Sequence, residues 1–243
     1  MDTNVKIIII VAAVFVLLLA IVLSSRSRIK RVYKKYLTVG NKHDLTGSQF
    51  ASVAIRSLKL DEVKLGVTDG ELVDAYSPKS KMLIMSRAVC NTASLASITI
   101  VAHELGHACQ HKNNSPLFFT CILFGKLSRF LNHFVLPLIL AGIVLLIVQA
   151  PVLTTGLIVL YVALGIFLFN LLTKILNIPL EYNASHRALK FLKENDFVTS
   201  SDYGKAKKLL RIAAQTYIAS LFDGIIIFGN KLSNLFYRRH PKK

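Results

Sequence analysis

The stretch VAHELGHACQH, Val101–His111, places His103, Glu104, His107 and His111 within eleven residues. His103 and His107 are four residues apart. On a helix their imidazoles would share one face, about a turn apart, and both could reach a single metal ion. Glu104 would lie beside that face, where a carboxylate can take a proton from an attacking water and pass it to a leaving amine. This H-E-x-x-H pattern suits Zn2+ best and points to hydrolysis by a zinc-activated water. Ala102, Gly106 and Ala108 keep the surroundings small, and Gly106 leaves room for something to approach between the histidines. A polar helix turn with two unrelated histidines would read the same way, so the third ligand decides.

His111 is a poor third ligand. It follows His103 by eight residues, about 12 Å along a continuing helix. It is better placed as a C-terminal histidine favoured by the helix dipole. A metzincin pattern would need Gly at position 110 and His at position 113, where the chain has Gln110 and Asn113. The remaining candidates are downstream acids. Glu181 sits in IPLEYNASHRAL, which reads as the start of a helix, whereas Glu194 and Asp196 lie in a polar, surface-like stretch.

The elements that must bring these residues together alternate between polar and strongly apolar. The chain has 243 residues, 53% of them hydrophobic, and a mean hydropathy of +0.52, above what a soluble domain of this size carries. Val5–Leu23 is apolar apart from Lys6 and long enough to cross a bilayer, which takes about 20 residues. A cleaved signal peptide fits less well: the run is long, Asp2 spoils a basic start, and no small-x-small site precedes the basic cluster. Phe134–Val148 and Val152–Leu172, joined by Gln149-Ala150-Pro151, read as a transmembrane hairpin. Two crossings between His107 and Glu181 would return the chain to the same side.

The net charge is +17. The basic residues flank the apolar runs, which favours lipid headgroups over nucleic acid as their partner. Arg26, Arg28, Lys30, Arg31, Lys34, Lys35 and Lys42 all follow the first run. The positive-inside rule then puts the N-terminus outside and the following segment in the cytoplasm. The expectation is a multi-pass plasma-membrane protein with its site on the cytoplasmic side. Cys90, Cys109 and Cys121 are odd in number and lack metal-type spacing, so they read as buried apolar residues.

Along the chain, residues 24–45 read as a juxtamembrane linker. Gln49–Leu60 reads as an amphipathic helix capped by Thr46 or Ser48, and Lys64–Gly66 and Asp69–Gly70 as breaks. Glu71–Ser86 reads as a β-hairpin turning at Ser77–Lys81, with Met82–Ser86 as its second strand. Asn91–His111 is the motif helix, capped by Asn91 or Thr92. Leu117–Leu131 looks interfacial. A further helix is expected to open at Pro179, and another over Tyr203–Tyr217. Ile212–Asn230 either spans or packs on the catalytic part. The expected organisation is an anchor at 1–23, a cytoplasmic catalytic part at 24–130, a transmembrane hairpin at 131–172, and a second catalytic part at 173–243.

The combination of VAHELGHACQ, LEYNASHRAL and LVDAYSPKSKMLIMS resembles the bacterial membrane-bound neutral zinc metallopeptidases of the YugP type. Their patterns are A-H-E-x-G-H-A-x-Q and, after a transmembrane hairpin, P-x-E-[FY]-D-A-S-x-R-A, with an upstream L-x-D-H-Y-D-P. The resemblance runs from about Thr46 to Leu221. It is more distantly similar to the integral-membrane gluzincins with E-x-x-A-D. It implies a mainly α integral membrane protein with a zincin-like catalytic domain carrying a small β-hairpin. It also implies Zn2+ on His103, His107 and Glu181, Glu104 as general base, and peptide or protein as substrate. Ser185 takes the place of the gluzincin aspartate. Asn183 stands where the family has Asp, and Ala75 and Ser77 replace His and Asp. An asparagine accepts from a ligand histidine more weakly than a carboxylate, so the support behind the ligands is altered. His186, Arg187, Tyr76 and Tyr217 are candidate oxyanion donors. By the same resemblance, Met82–Ser86 is the strand whose edge an extended substrate would pair with.

Two rival classes share the motif. A site-2-type intramembrane protease would carry it inside a spanning helix, but Asn91, Thr92, Ser94, Ser97 and Thr99 precede it here. An inactive membrane scaffold or metal carrier would have no use for Glu104.

Overall fold

The structure, a computed structural model, describes residues 20, 24–25, 27–148 and 153–220. The anchor expected over Val5–Leu23 lies outside the described residues except at residue 20, as do the Gln149–Pro151 turn and residues 221–230. The fold is mainly α, as expected. Its helices are α1 (27–37), α2 (Gly47–Ser57), α3 (Arg87–Asn91), α4 (Leu95–Lys112), α5 (Pro116–Ile147), α6 (Leu153–Glu194) and α7 (Ser200–Ser220). Its strands are β1 (Lys64–Thr68), β2 (Ala75–Ser77) and β3 (Met82–Ser86). The chain forms two compact units, Met1–Cys109 with Glu181–Lys243, and Gln110–Leu180.

The first unit is built on one apolar core. The segment expected as a linker is instead a helix, α1, because Ile29, Val32, Tyr33 and Tyr36 recur at helical spacing and pack on that core. Tyr33 is fully enclosed. Helix α2 starts at Thr46, whose side chain accepts from the Gln49 N–H while the Gln49 side chain accepts from the Thr46 N–H. This capping box satisfies two donors that a helix start leaves unpaired. Its inner face is Gly47, Phe50, Ala51 and Ala54, with Val53 left exposed. Phe50, Phe191 and Phe197 cluster edge-on and stacked beneath it.

The expected hairpin is present, β2 pairing antiparallel with β3 at Ala75↔Ile84, Tyr76↔Leu83 and Ser77↔Met82. A third strand was not foreseen. Lys64–Gly66, read from the sequence as a break, belongs to β1, which pairs parallel with β3. The sheet order is β1-β3-β2, so β3 is the central strand, with partners on both sides. Its buried Leu83, Met85 and Ser86 explain why it takes the centre.

The motif helix is shorter than expected at its start. Asn91 closes α3, and Ser94 caps α4 by accepting from the Ser97 N–H. Leu95, Ile98, Val101, Ala102, Leu105 and Ala108 turn the apolar face of α4 into the core. At its other end α4 runs out at Lys112, before Asn113–Pro116.

In the second unit, α5 is one 32-residue helix that absorbs both the stretch expected to lie at the interface and the first expected span. Helix α6 is likewise continuous through Pro179, where the sequence suggested a new start. Proline removes one N–H and crowds the preceding turn. Within that turn Cys121 donates to Leu176 O, and in the turns before it Asn177 donates to Thr173 O and Thr173 to Phe169 O. Ser128 donates to Asn170 at 2.7 Å, a hydrogen bond between α5 and α6. Both helices are long and apolar enough to cross a membrane. Leu123, Phe130, Leu140, Val144, Ile158, Leu164 and Leu168 stand exposed on them. That outward-facing apolar surface is consistent with association with a membrane.

Candidate metal centre

His103, His107 and Glu181 meet within the first unit. The Nε2 of His103 lies 3.1 Å from Glu181 Oε2, and the Nε2 of His107 lies 3.5 Å from the same oxygen. The two imidazoles sit edge-to-face with centroids 4.9 Å apart. All three ligand atoms lie within 4.8 Å of one another. Ligands about 2.0–2.1 Å from a tetrahedral zinc are about 3.3 Å apart, so two imidazole nitrogens and one carboxylate oxygen at these separations fit the ion. The three side chains are only 12%, 13% and 8% exposed, which shields such a site from bulk water.

The convergence depends on Gly106. A Cβ at this position would fall 2.7 Å from the backbone oxygen of Ala184 and 3.2 Å from its Cα. Only a glycine lets α6 come this close to α4. On α6 the buried face is Glu181, Ala184, Ser185 and Ala188, and the small residues let the backbone seat while Glu181 reaches the histidines. The gap that the sequence showed beside the histidines is therefore filled by the α6 main chain.

Glu104 is held from the sheet. Its Oε2 accepts the backbone N–H of Tyr76 at 2.9 Å. Partial burial pushes its carboxyl above the usual glutamate range, opposed by the neighbouring His103 and His107 and by the Tyr76 N–H, with Glu181 adding to the rise. Strand β2 is itself fastened at Asp74. Its carboxylate accepts from the Ser86 N–H at 2.6 Å and from the Ser86 hydroxyl at 3.2 Å. The same hydroxyl caps α3 through the Val89 N–H. Burial raises the Asp74 carboxyl, and the two Ser86 donors oppose the rise.

Ser185 Oγ stands 3.3 Å from His103 Nδ1, the ring nitrogen on the far side from Glu181. This is the position from which a polar group orients a ligand histidine. Asn183, which the sequence offered for that role, is exposed and accepts from Arg187 Nε at 2.8 Å. The correction follows from helix geometry: residue 183 points away from the face that carries 181, 184, 185 and 188.

The other sequence candidates fall elsewhere. His111 is stacked on Phe118 and edge-on to Phe119. Glu194 pairs with Lys190, and Asp196 pairs with Lys42, so neither competing acid is part of the cluster. Of the oxyanion candidates, His186 is exposed and Arg187 donates to Asn183. Tyr76 packs its ring on the core and reaches the site through its backbone. The Tyr217 side chain lies outside the described residues. Met82–Ser86 offers no open edge for a substrate, because β1 and β2 cover both its sides. The edge strand beside Glu104 is β2. Three features were missed in the sequence: the Tyr76 N–H, the Ser185 contact and the Asp74 clamp. The first is backbone and leaves no residue signature. The other two needed the pairing of distant segments.

Two helix-borne histidines facing a glutamate from a second helix define a zinc metallopeptidase-type site. The chain belongs to that class: the family model described as "Putative neutral zinc metallopeptidase" matches residues 8–233. Zinc is the metal this family implies, and the donor set fits it. Among curated proteins, the chain is similar to "Putative membrane protease YugP" of Bacillus subtilis (strain 168), 28% identical over 208 residues, 81% of this chain and 85% of that protein. No solved structure matches the chain.

Proposed function

We propose that this protein is a membrane-bound zinc endopeptidase in which His103, His107 and Glu181 hold the metal and Glu104 is the general base. The observation that carries the reading is the Tyr76 N–H to Glu104 bond beside the three-donor cluster. A bare metal carrier needs no base pinned at its rim. Zinc bound there would polarise a peptide carbonyl and lower the pKa of a water. Glu104 takes the proton of the attacking water and gives it to the leaving amine, and the Tyr76 N–H keeps its carboxylate aimed during both transfers. Ser185 fixes the His103 ring. The substrate is a peptide whose scissile carbonyl reaches the metal beside Glu104.

The site lies on the cytoplasmic side. The basic residues of 26–42 favour that side, and the α5–α6 hairpin makes an even number of crossings between the two halves of the ligand set. A gluzincin-type site outside the bilayer is favoured over a site-2-type one. Among the described residues the helices long and apolar enough to cross are α5 and α6, whereas α4 carries buried Ser97 and Thr99 ahead of the motif.

The test is a peptide-library digest with the full chain in detergent. Wild type cleaves, Glu104→Gln does not, and both hold zinc. Equal cleavage by Glu104→Gln would remove Glu104 from the chemistry. No cleavage of any peptide by zinc-loaded wild type would overturn the endopeptidase reading.

A further inference from the structure

Helices α1 and α7 belong to the same unit and line a cavity of ≈380 Å³ away from the metal centre's residues. Arg28 contributes from α1, and Gly204, Lys207, Lys208, Arg211 and Gln215 contribute from α7. Gly204, Lys208, Arg211 and Gln215 follow one another at four, three and four residues, which is one face of a helix. Four cations therefore surround one concavity. None of them has an ion-pair partner among the described residues. The one acid of α7, Asp202, is held by Lys205 at 2.9 Å. Residues 27–37 contain no acid, and the single Glu71 carboxylate pairs with Lys30 and Lys34. The described residues leave Arg28, Lys207, Lys208 and Arg211 unbalanced, and like charges around a hollow favour an anion there.

Shape adds to charge. Gly204 gives the lining a position with no side chain, and a Cβ there would meet nothing within 4 Å. Two arginines offer planar forks matched to phosphate oxygens, and two lysines add point charges. Ile212 supplies an apolar wall. The two elements that line the cavity also adjoin apolar runs: Arg28 follows Val5–Leu23 by five residues, and Ile212 opens Ile212–Asn230. Basic elements that adjoin apolar runs along the chain suit a ligand with a phosphate at one end and a hydrocarbon chain at the other.

We propose that this cavity is a binding site for a phosphate group, carried by an anionic phospholipid. The phosphate chemistry stands independently of the peptidase reading. Only the lipid source rests on the membrane reading.

The test uses the full chain in detergent, titrated with dioctanoyl phosphatidylglycerol, with dioctanoyl phosphatidylcholine, and with inorganic phosphate, and followed by native mass spectrometry. Wild type is expected to retain phosphatidylglycerol over phosphatidylcholine. Lys208→Gln/Arg211→Gln is expected to weaken that binding about tenfold or more, the loss of two charge-assisted contacts. Gly204→Phe, which keeps all four cations and fills the hollow, is expected to weaken it as well. Gly204→Leu replaces it if the larger side chain prevents folding. Retained zinc in each variant reports that the fold is intact, whether or not any peptide is cleaved. If inorganic phosphate binds with the same sensitivity to both variants and phosphatidylglycerol gains nothing over it, the phosphate site stands and its lipid source is wrong. If Gly204→Phe and Gly204→Leu bind as wild type does, the interaction is that of a charged surface, and the proposed site is overturned. Equal binding by the charge variant overturns it too.

Discussion

The backbone N–H of Tyr76 donates to Glu104 Oε2 at 2.9 Å, so the catalytic candidate on α4 is aimed by the edge strand of the sheet. Along a strand, successive backbone groups alternate sides. Because the Tyr76 N–H faces Glu104, a proline there removes this bond without breaking a bond to β3. Edge strands tolerate proline in that setting. Tyr76→Pro is expected to lower kcat about 10- to 100-fold, the worth of a hydrogen bond to a charged group. Tyr76→Phe keeps the N–H and is expected to keep kcat. Steady-state cleavage of a library-derived peptide separates the two, and an equal loss in both variants would assign the effect to the ring.

Gly106 admits the Ala184 backbone, and backbone cannot swing aside as a side chain can. Gly106→Ala gains helix propensity, about 1 kcal/mol, but forces α6 away from α4. The expected net effect is a loss of about 1–3 kcal/mol, typical of overpacking, together with weakened zinc retention. Gly204→Ala is the control. Its added Cβ meets nothing, so the propensity gain stands alone and the melting temperature rises. Melting and zinc content of the two variants check this pair.

Ser185 lies against the Nδ1 of His103 at 3.3 Å. Ser185→Ala removes the group that orients the ring and is expected to weaken zinc about 10- to 100-fold. Ser185→Asp puts a carboxylate there and is expected to bind zinc more tightly than Ser185→Ala. Competition against a chelator of known affinity measures both.

Asp74 fastens β2 through Ser86, which is fully buried. Asp74→Ala leaves the Ser86 N–H without an acceptor and is expected to cost about 1–3 kcal/mol. Asp74→Asn keeps one acceptor oxygen and cannot ionise. The Asp74 carboxyl is raised in the fold by burial, so its contribution is most favourable below the ordinary value of 3.8 and is lost as pH rises through the raised value. The stability of Asp74→Asn relative to wild type is therefore expected to improve with rising pH. Melting in zinc-containing buffer across that range reads the sign.

Much of the site was legible because its signals are local. H-E-x-x-H spacing places His103 and His107 on one helix face, and Glu181 stood out as an acid opening a helical stretch after an even number of apolar runs. Thr46, one of the two caps offered by the sequence, starts α2 at Gly47, two residues earlier than the expected Gln49. What stayed hidden depends on partners far along the chain. β1 is five residues with an exposed burial pattern and a glycine at its centre, so nothing but pairing with β3 makes it a strand. Residues 27–37 looked like a linker because lysine and arginine outnumber the tyrosines that bury. Pro179 looked like a helix start because proline favours a first turn, and the continuation of α6 through it is visible only in three dimensions.

The central claim is that Glu181, and not His111, completes the metal site. Elemental analysis of purified wild type, Glu181→Ala and His111→Ala tests it most directly. About one zinc per chain is predicted for wild type and His111→Ala, with Glu181→Ala empty. Zinc retained by Glu181→Ala, or lost from His111→Ala with its fold intact, would contradict the assignment.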